Sequence, residues 1–597
     1  MKKLLFLLSF ILFFSACKEK TEQSIEKTNE RIASSNEELA KIFEDYYQGV
    51  LKMDPISATR AGDARYNDRF VNILNDSVKE EMKLFYSSNL EKLSHFAEED
   101  LNENDLLSKR ILEWECTQNA KRLSLPDYTP INQMWTINLV MGQFASGASA
   151  QPFKTVKDYE NWLKRVDEYL VWFTAAQEKM EEGIKNGYVL PKSLIIKVIP
   201  QMESMAEENV EKHLYYSPIK NFPESFTEEE RARLQVEYTA MIEEKIVPAH
   251  KNMAEFLKKV YLPAGRETSG FGALENGDQI YQSMITYFTT TNMSASEIHE
   301  LGLKEVARIS SEMEKVMKEV GYKGDLQSFF NYVRNKKELM PFTEPQQVID
   351  NFNAIQVKME PQLNKLFETK PKTSFEVRRT EAFRENSASA EYNQAPLDGS
   401  RPGVFYVPIP NASEYNVYAD EDLFLHEAIP GHHYQIALQQ ENQDLPQFRK
   451  VLWYSSFGEG WALYAESLGK ELGLFEDPYQ YFGMLGGEMH RAIRLVVDTG
   501  LHSKGWTREQ AIQYSLDNEA EPEASIISEI ERYMAMPGQA LSYKIGQIKI
   551  RELREKAERE LGDKFDIRKF HSEVLEAGCI PLSLFELKID QWIESNK

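Results

Sequence analysis

His426-Glu427-Ala428-Ile429-Pro430-Gly431-His432-His433 sets imidazoles on both sides of a carboxylate. Five of the ten histidines in this 597-residue chain (His426, His432, His433, His490 and His502) fall between 426 and 502. That grouping points to a hydrolytic metal centre. Zinc binds neutral imidazoles and carboxylates, and a catalytic zinc keeps one position open for water. In an H-E-x-x-H helix the histidines at i and i+4 share a face, and the intervening Glu serves as general base. The spacing here is longer. On a regular helix the i+6 residue points about 240° away from the first, and the i+7 residue lies about 10 Å further along the axis. A local deformation is therefore required. Pro430 has no N–H for the helical ladder, and Gly431 tolerates backbone angles closed to other residues, so the stretch reads as an H-E-x-x-H helix carrying a two-residue bulge. Either His432 or His433 can then be the second ligand.

A third ligand is expected on a facing helix. Phe457-Gly458-Glu459-Gly460-Trp461-Ala462-Leu463-Tyr464-Ala465-Glu466 offers Glu459 and Glu466, seven residues apart and on one helical face. One of them can sit at the metal while the other orients a ligand histidine.

Taken together, H-E-A-I-P-G-H-H-Y-Q, G-E-G-W-A-L-Y-A-E, R-L-V-V-D-T-G-L-H, G-W-T-R-E-Q-A and P-G-Q-A-L-S-Y-K-I-G resemble the bacterial family catalogued as domain of unknown function 885, from about residue 40 to the C-terminus. That family is grouped with helical zinc metallopeptidases, similar in their core to angiotensin-converting enzyme and the thermostable carboxypeptidases. The resemblance implies one zinc ion held by His426, His432 and Glu459, with Glu427 as general base. The family's Gly-His pair falls on Gly431-His432, its Phe-x-Glu ligand on Phe457-Gly458-Glu459, and its Arg-Tyr pair near the oxyanion on Arg532-Tyr533. Tyr533 is thereby the expected oxyanion donor and Tyr543 its rival, since a phenol donates a hydrogen bond without adding negative charge. Arg532, Lys544 and Arg401 are candidates to hold a substrate carboxylate, and His502 to contact substrate; Asp498 is expected to orient a neighbouring helix.

Helical periodicity dominates the remainder. Trp162, Leu163, Val166, Tyr169, Phe173, Ala176, Met180 and Ile184 step by three and four residues up to Asn186-Gly187, a helix C-terminus. Ser294 with Glu297, and Thr507 with Gln510, read as capping boxes opening further helices. The exception is Gly403 to Ile409, a β-favouring run after the turn-rich Asp398-Gly399-Ser400-Arg401-Pro402. These patterns predict an all-α fold, mainly helical, with a short β-hairpin or edge strand near the metal helix. The resemblance makes it a two-lobed zincin-like metallopeptidase, and implies that the edge strand pairs with an extended substrate backbone.

Lys2 and Lys3, the apolar run Leu4 to Phe14, and Ser15-Ala16-Cys17 have the parts of an export signal ending in a lipobox, with Cys17 the lipidated residue. Residues 18–35 read as a polar tether, 36–290 as an N-terminal helical lobe, and 291–597 as a C-terminal lobe with the metal site. Besides Cys17 the chain has only Cys116 and Cys579, so the core rather than disulfides must stabilise it. A net charge of −24 leaves no basic face to displace counterions from nucleic acid or anionic lipid, so membrane contact is expected only through the anchor. The function expected is peptide hydrolysis at the periplasmic or cell-surface side of the bacterial membrane. A helical binding lipoprotein without catalysis, and a zinc amidase for a non-peptide amide, are the competing readings. No G-x-S-x-G elbow or phosphate-cradling loop accompanies the histidines.

Overall fold

Local rules account for most of the helices. The computed structural model describes residues 36–134, 136–381, 385, 388–397, 399 and 401–597; the export signal, Cys17 and the tether lie outside them. Helix α1 (Val156–Asn186) buries Trp162, Val166, Tyr169, Phe173, Ala176 and Met180, the predicted stripe. It ends where Gly187 takes up φ 75°, the left-handed conformation that glycine adopts without penalty. Helix α2 (Ala295–Glu319) opens on the Ser294/Glu297 capping box and buries Ile298, Val306, Ile309, Met313 and Val316.

Three strands, β1 (Phe375–Arg379), β2 (Glu391–Asn393) and β3 (Gly403–Val407), form one sheet in the order β1-β3-β2. The β1 pairing is parallel and the β2 pairing antiparallel. The β-favouring run is therefore the middle strand. Both of its edges are taken, which corrects the expectation that it would offer an edge to substrate. Phe405 packs on Phe352 with ring centroids 5.2 Å apart, and Val404, Phe405 and Val407 are all buried.

The C-terminal half is built from α3 (Asp420–Glu427), α4 (His432–Glu441), α5 (Ser455–Glu466), α6 (Pro478–Ser503), α7 (Arg508–Asn518), α8 (Glu523–Ala535) and α9 (Ser542–Leu561). The Thr507/Gln510 capping box opens α7. Helices α5 and α9 meet backbone to backbone: a Cβ on Gly546 would stand 1.7 Å from the Ser456 carbonyl oxygen, and one on Gly460 2.5 Å from Gly546 Cα. Glycine at both positions permits this approach. Gly302 of α2 likewise lies close against Leu495 and Val496 of α6.

One cluster of buried apolar side chains runs from Leu39 to Ile593. Position 290 falls in the link between a helix ending at Thr289 and α2, and the core does not divide there. Phe43 packs on Phe448 with centroids 5.3 Å apart, and the buried Arg449 donates to Asn104 and Ser108, each at 2.9 Å. Cys116 and Cys579 are free and buried. Among the described residues no helix is long and apolar enough to cross a membrane.

Candidate metal centre

The histidine motif does not bulge within one helix; it breaks the helix in two. Helix α3 makes its last ladder bond from Ala428 N–H to Phe424 O, and Ala428 then leaves helical geometry with φ −106° and ψ −99°. Four residues later α4 begins at His432. The cause is local: Pro430 cannot donate, and the Gly431 backbone lies so close beneath α3 that a Cβ there would be 1.9 Å from the His426 carbonyl oxygen. The Pro430 carbonyl accepts from Trp461 Nε1–H at 2.8 Å, so α5 holds the break in place.

Across this break His426 and His432 come together, their ring centroids 4.7 Å apart and their planes nearly perpendicular. Glu459 on α5 joins them. Its Oε2 is 3.7 Å from His426 Nε2 and 3.4 Å from His432 Nε2, and the ligating atoms of all three lie within 4.8 Å of one another. The edge of a tetrahedral zinc site with bonds of 2.0–2.1 Å is about 3.3 Å, so the separations suit such an ion. Two imidazoles and one carboxylate fit zinc chemically and leave a fourth position open.

Glu466, about two turns further along α5 on the same face, holds His426 Nδ1 at 2.6 Å. This fixes the ring with Nε2 presented to the centre. Burial alone would depress the His426 imidazole, but the Glu459 and Glu466 carboxylates overcome it and push it up to about 10. For Glu459 burial acts upward, and the two imidazoles reverse this to hold it well below the usual carboxylate range. Glu427 is buried, its Oε2 without a hydrogen-bond partner among the described residues, and burial raises its carboxyl. His432 Nδ1 is likewise buried and unpartnered there.

His433 is turned away. Its Nδ1 pairs with the Tyr392 hydroxyl of β2 at 2.9 Å, its ring lies 4.6 Å from that of Phe375 of β1, and burial lowers it to about 4.

Apart from Arg401, in the turn before β3, the remaining expected site residues gather on α6, α8 and α9. Tyr533 is buried and its hydroxyl donates to Glu529 Oε2 at 2.6 Å while accepting from Arg494 Nε at 3.0 Å. In this structure the Tyr533 hydroxyl thus lies between Glu529 and Arg494. Tyr543 is half-buried, with the Arg494 guanidinium 4.6 Å over its ring, and its hydroxyl has no partner among the described residues. It follows Ser542, whose Oγ bonds Ser455 Oγ at 2.7 Å at the start of the helix that carries Glu459. Arg532 donates to Glu529 at 3.2 Å and to Gln539 at 2.7 Å.

His502 is fully buried. Its Nε2 meets the Tyr533 carbonyl at 3.0 Å and its Nδ1 accepts from Phe271 N–H at 3.1 Å, so neither nitrogen is left for a substrate. Burial lowers it to about 3. Asp498 accepts from Tyr281 O–H at 2.5 Å and from Gly538 N–H at 3.1 Å, tying α6 to its neighbours. Lys544 is enclosed by Glu488, Glu305 and Gln547, and Arg401 reaches the Pro402 carbonyl at 3.2 Å.

Three residues near the centre escape sequence reasoning. Asp422 stands one turn before His426, and burial together with the Glu466 charge pushes its carboxyl well up. Its i−4 spacing from His426 was the available signal. Arg491 of α6 adds a positive charge that acts on Glu427 and Asp422. Trp453 lies with its ring centroid 5.7 Å from that of His432. Neither of these two has a local pattern that would single it out.

The fold and centre define a mainly helical protein in which two histidines on either side of a helix break meet a glutamate from a facing helix. The profile of the family described as "Bacterial protein of unknown function (DUF885)" matches residues 55–589, and the chain belongs to that family. It is similar to a crystal structure described as "the putative lipoprotein from Colwellia psychrerythraea", with 27% identity and a TM-score of 0.85 over 94% of this chain and 100% of that one. A second crystal structure, "a putative lipoprotein of unknown function from Shewanella oneidensis", shares the fold at 17% identity and a TM-score of 0.71, covering 92% and 99% of the two chains. No curated protein matches the chain.

Proposed function

We propose that this protein is a zinc-dependent peptidase that hydrolyses peptide bonds in oligopeptides, with His426, His432 and Glu459 holding one zinc ion and Glu427 as general base. The convergence of both Nε2 atoms on one Glu459 oxygen carries this reading. Zinc bound there would supply a Lewis acid that lowers the pKa of a water toward about 7 and polarises the scissile carbonyl. Glu427 takes the proton of the attacking water at its unpartnered Oε2 and returns it to the leaving amine, and the burial that raises its carboxyl makes it a stronger base for that task. Glu466 keeps His426 in the orientation that serves the centre. Tyr533 is the donor to the oxyanion, with Tyr543 its rival; Arg494 joins the two, donating to the Tyr533 hydroxyl and lying over the Tyr543 ring. A substrate carboxylate at Arg532 would compete with Glu529. The two-lobed, zincin-like enclosure of the centre belongs to the same proposal. So does the exported form anchored through Cys17 and facing the periplasm or cell surface, supported by the description of the Colwellia protein.

The test pairs metal analysis with mass spectrometry of a mixed peptide library, on wild type and Glu427→Gln. The expected outcome is one zinc per chain in both and a loss of turnover of about 10²- to 10⁴-fold in the variant. Equal turnover by both proteins rejects the mechanism. Zinc without peptide cleavage by wild type would shift the reading to a binding lipoprotein or a non-peptide amidase.

A further inference from the structure

The side chains of the triad are nearly closed off: 6% exposed for His426, 11% for His432 and 16% for Glu459. Trp453 beside them is 43% exposed. It sits in the extended link between Val451 and α5, and Val451 on the same stretch is 41% exposed. Two contacts fix its position. Its ring lies 5.7 Å from the His432 ring, and the six-membered edge of the indole lies on Gly458, where a Cβ would meet Trp453 Cη2 at 2.2 Å. Glycine next to the ligand Glu459 is thus what lets the indole lie against the first turn of α5. The indole N–H has no acceptor among the described residues.

An indole left to solvent gains when another apolar group covers it, and its place beside a nearly closed cluster of polar side chains puts this one in the path of whatever approaches them. Here the surface borders the two most accessible members of the triad. We propose that Trp453 is the wall of a side-chain subsite that takes an aromatic or bulky aliphatic residue flanking the scissile bond; this rests on the peptidase reading. The wall packs against flat or bulky apolar groups and gives little to a methyl or a charged side chain. Substrates are then oligopeptides with such a residue at the cleavage point.

The zinc-loaded full chain is titrated calorimetrically with two amino-acid hydroxamates that differ only in bearing a benzyl or a methyl side chain. Wild type is expected to bind the benzyl compound about tenfold more tightly. Trp453→Ala loses that preference while its affinity for the methyl compound and its zinc content stay at wild-type levels, and Trp453→Phe keeps most of the preference. Equal weakening for both compounds, an unchanged preference, or no hydroxamate binding overturns the inference. Retained benzyl preference in a wild-type protein that cleaves no peptide would sink the peptidase reading alone. Peptide cleavage whose side-chain selectivity is the same in Trp453→Ala would sink the subsite alone.

Discussion

His426 divides its two nitrogens between the centre and Glu466, and both partners are carboxylates. Glu466→Ala should leave the triad in place but free the ring to rotate, weakening zinc binding about 10- to 100-fold, as read by competition with a chromogenic chelator. Unchanged affinity would mean that Glu466 does not orient the ligand. Burial disfavours the charged ring, yet the two carboxylates push it up to about 10, which favours a proton on His426 in the metal-free protein. A zinc ion bound there as proposed would have to displace it. Calorimetry in buffers of different ionisation enthalpy should therefore show about one proton released per ion near pH 7, and affinity rising with pH. Zero release would contradict this charge state. The meeting of His426, one of His432 and His433, and Glu459 was legible because few histidines occur in the chain and half of them fall in one stretch beside a Glu-bearing helix. The choice between His432 and His433 was not, because Tyr392 and Phe375, which occupy His433, are remote in sequence.

At the level of elements, the approach of α5 and α9 sets where Glu459 stands. Gly546→Ala would place a methyl 1.7 Å from the Ser456 carbonyl oxygen, forcing the helices apart. A loss of about 1–3 kcal/mol in stability is expected, together with weaker zinc binding, measured by denaturant unfolding and metal titration. Gly486→Ala is the control, since its Cβ would meet nothing within 4 Å. If both variants behave alike, the close approach is not what positions Glu459. Helices with local signatures, such as the Ser294/Glu297 and Thr507/Gln510 boxes, can be read from sequence because their hydrogen bonds close within three residues. The break at 428–431 and the central place of β3 depend on Trp461 and on the distant Phe375–Arg379 strand. No local pattern encodes those partners.

Across the whole molecule, acid sensitivity follows from what the core excludes. Burial lowers His250 to about 4, and His502 and His571 to about 3. The unfolded chain takes up protons at these positions near pH 6.5, which the folded chain refuses. Their contribution is complete above about pH 6.5 and is lost as pH falls toward those lower values. Glu488 follows the same sign further down: despite burial, Lys544 and Arg308 hold it at about 2, so its contribution fades below the ordinary carboxylate range. Between pH 7 and pH 4.5 the His571→Gln variant should lose less Tm than wild type, because buried carboxyls such as Asp498 and Asp420, raised to about 7 and 8, act with the opposite sign in both proteins alike. The same change in Tm in both proteins would show that the His571 imidazole titrates normally. Composition indicated a chain able to bury a large core; that the core would run unbroken past residue 290 rests on contacts such as Phe43 with Phe448, which sequence spacing does not reveal.

The interrupted helix also limits how the centre can be transplanted. In a continuous H-E-x-x-H segment the helical pitch alone spaces the imidazoles, and a designer can graft it as one piece. Here the spacing belongs to a joint between two rods, latched from outside by Trp461. The smallest portable unit is α3, the joint, α4 and the first turns of α5 together, and copying only 426–433 into another scaffold would carry the letters without the hinge that gives them a common focus.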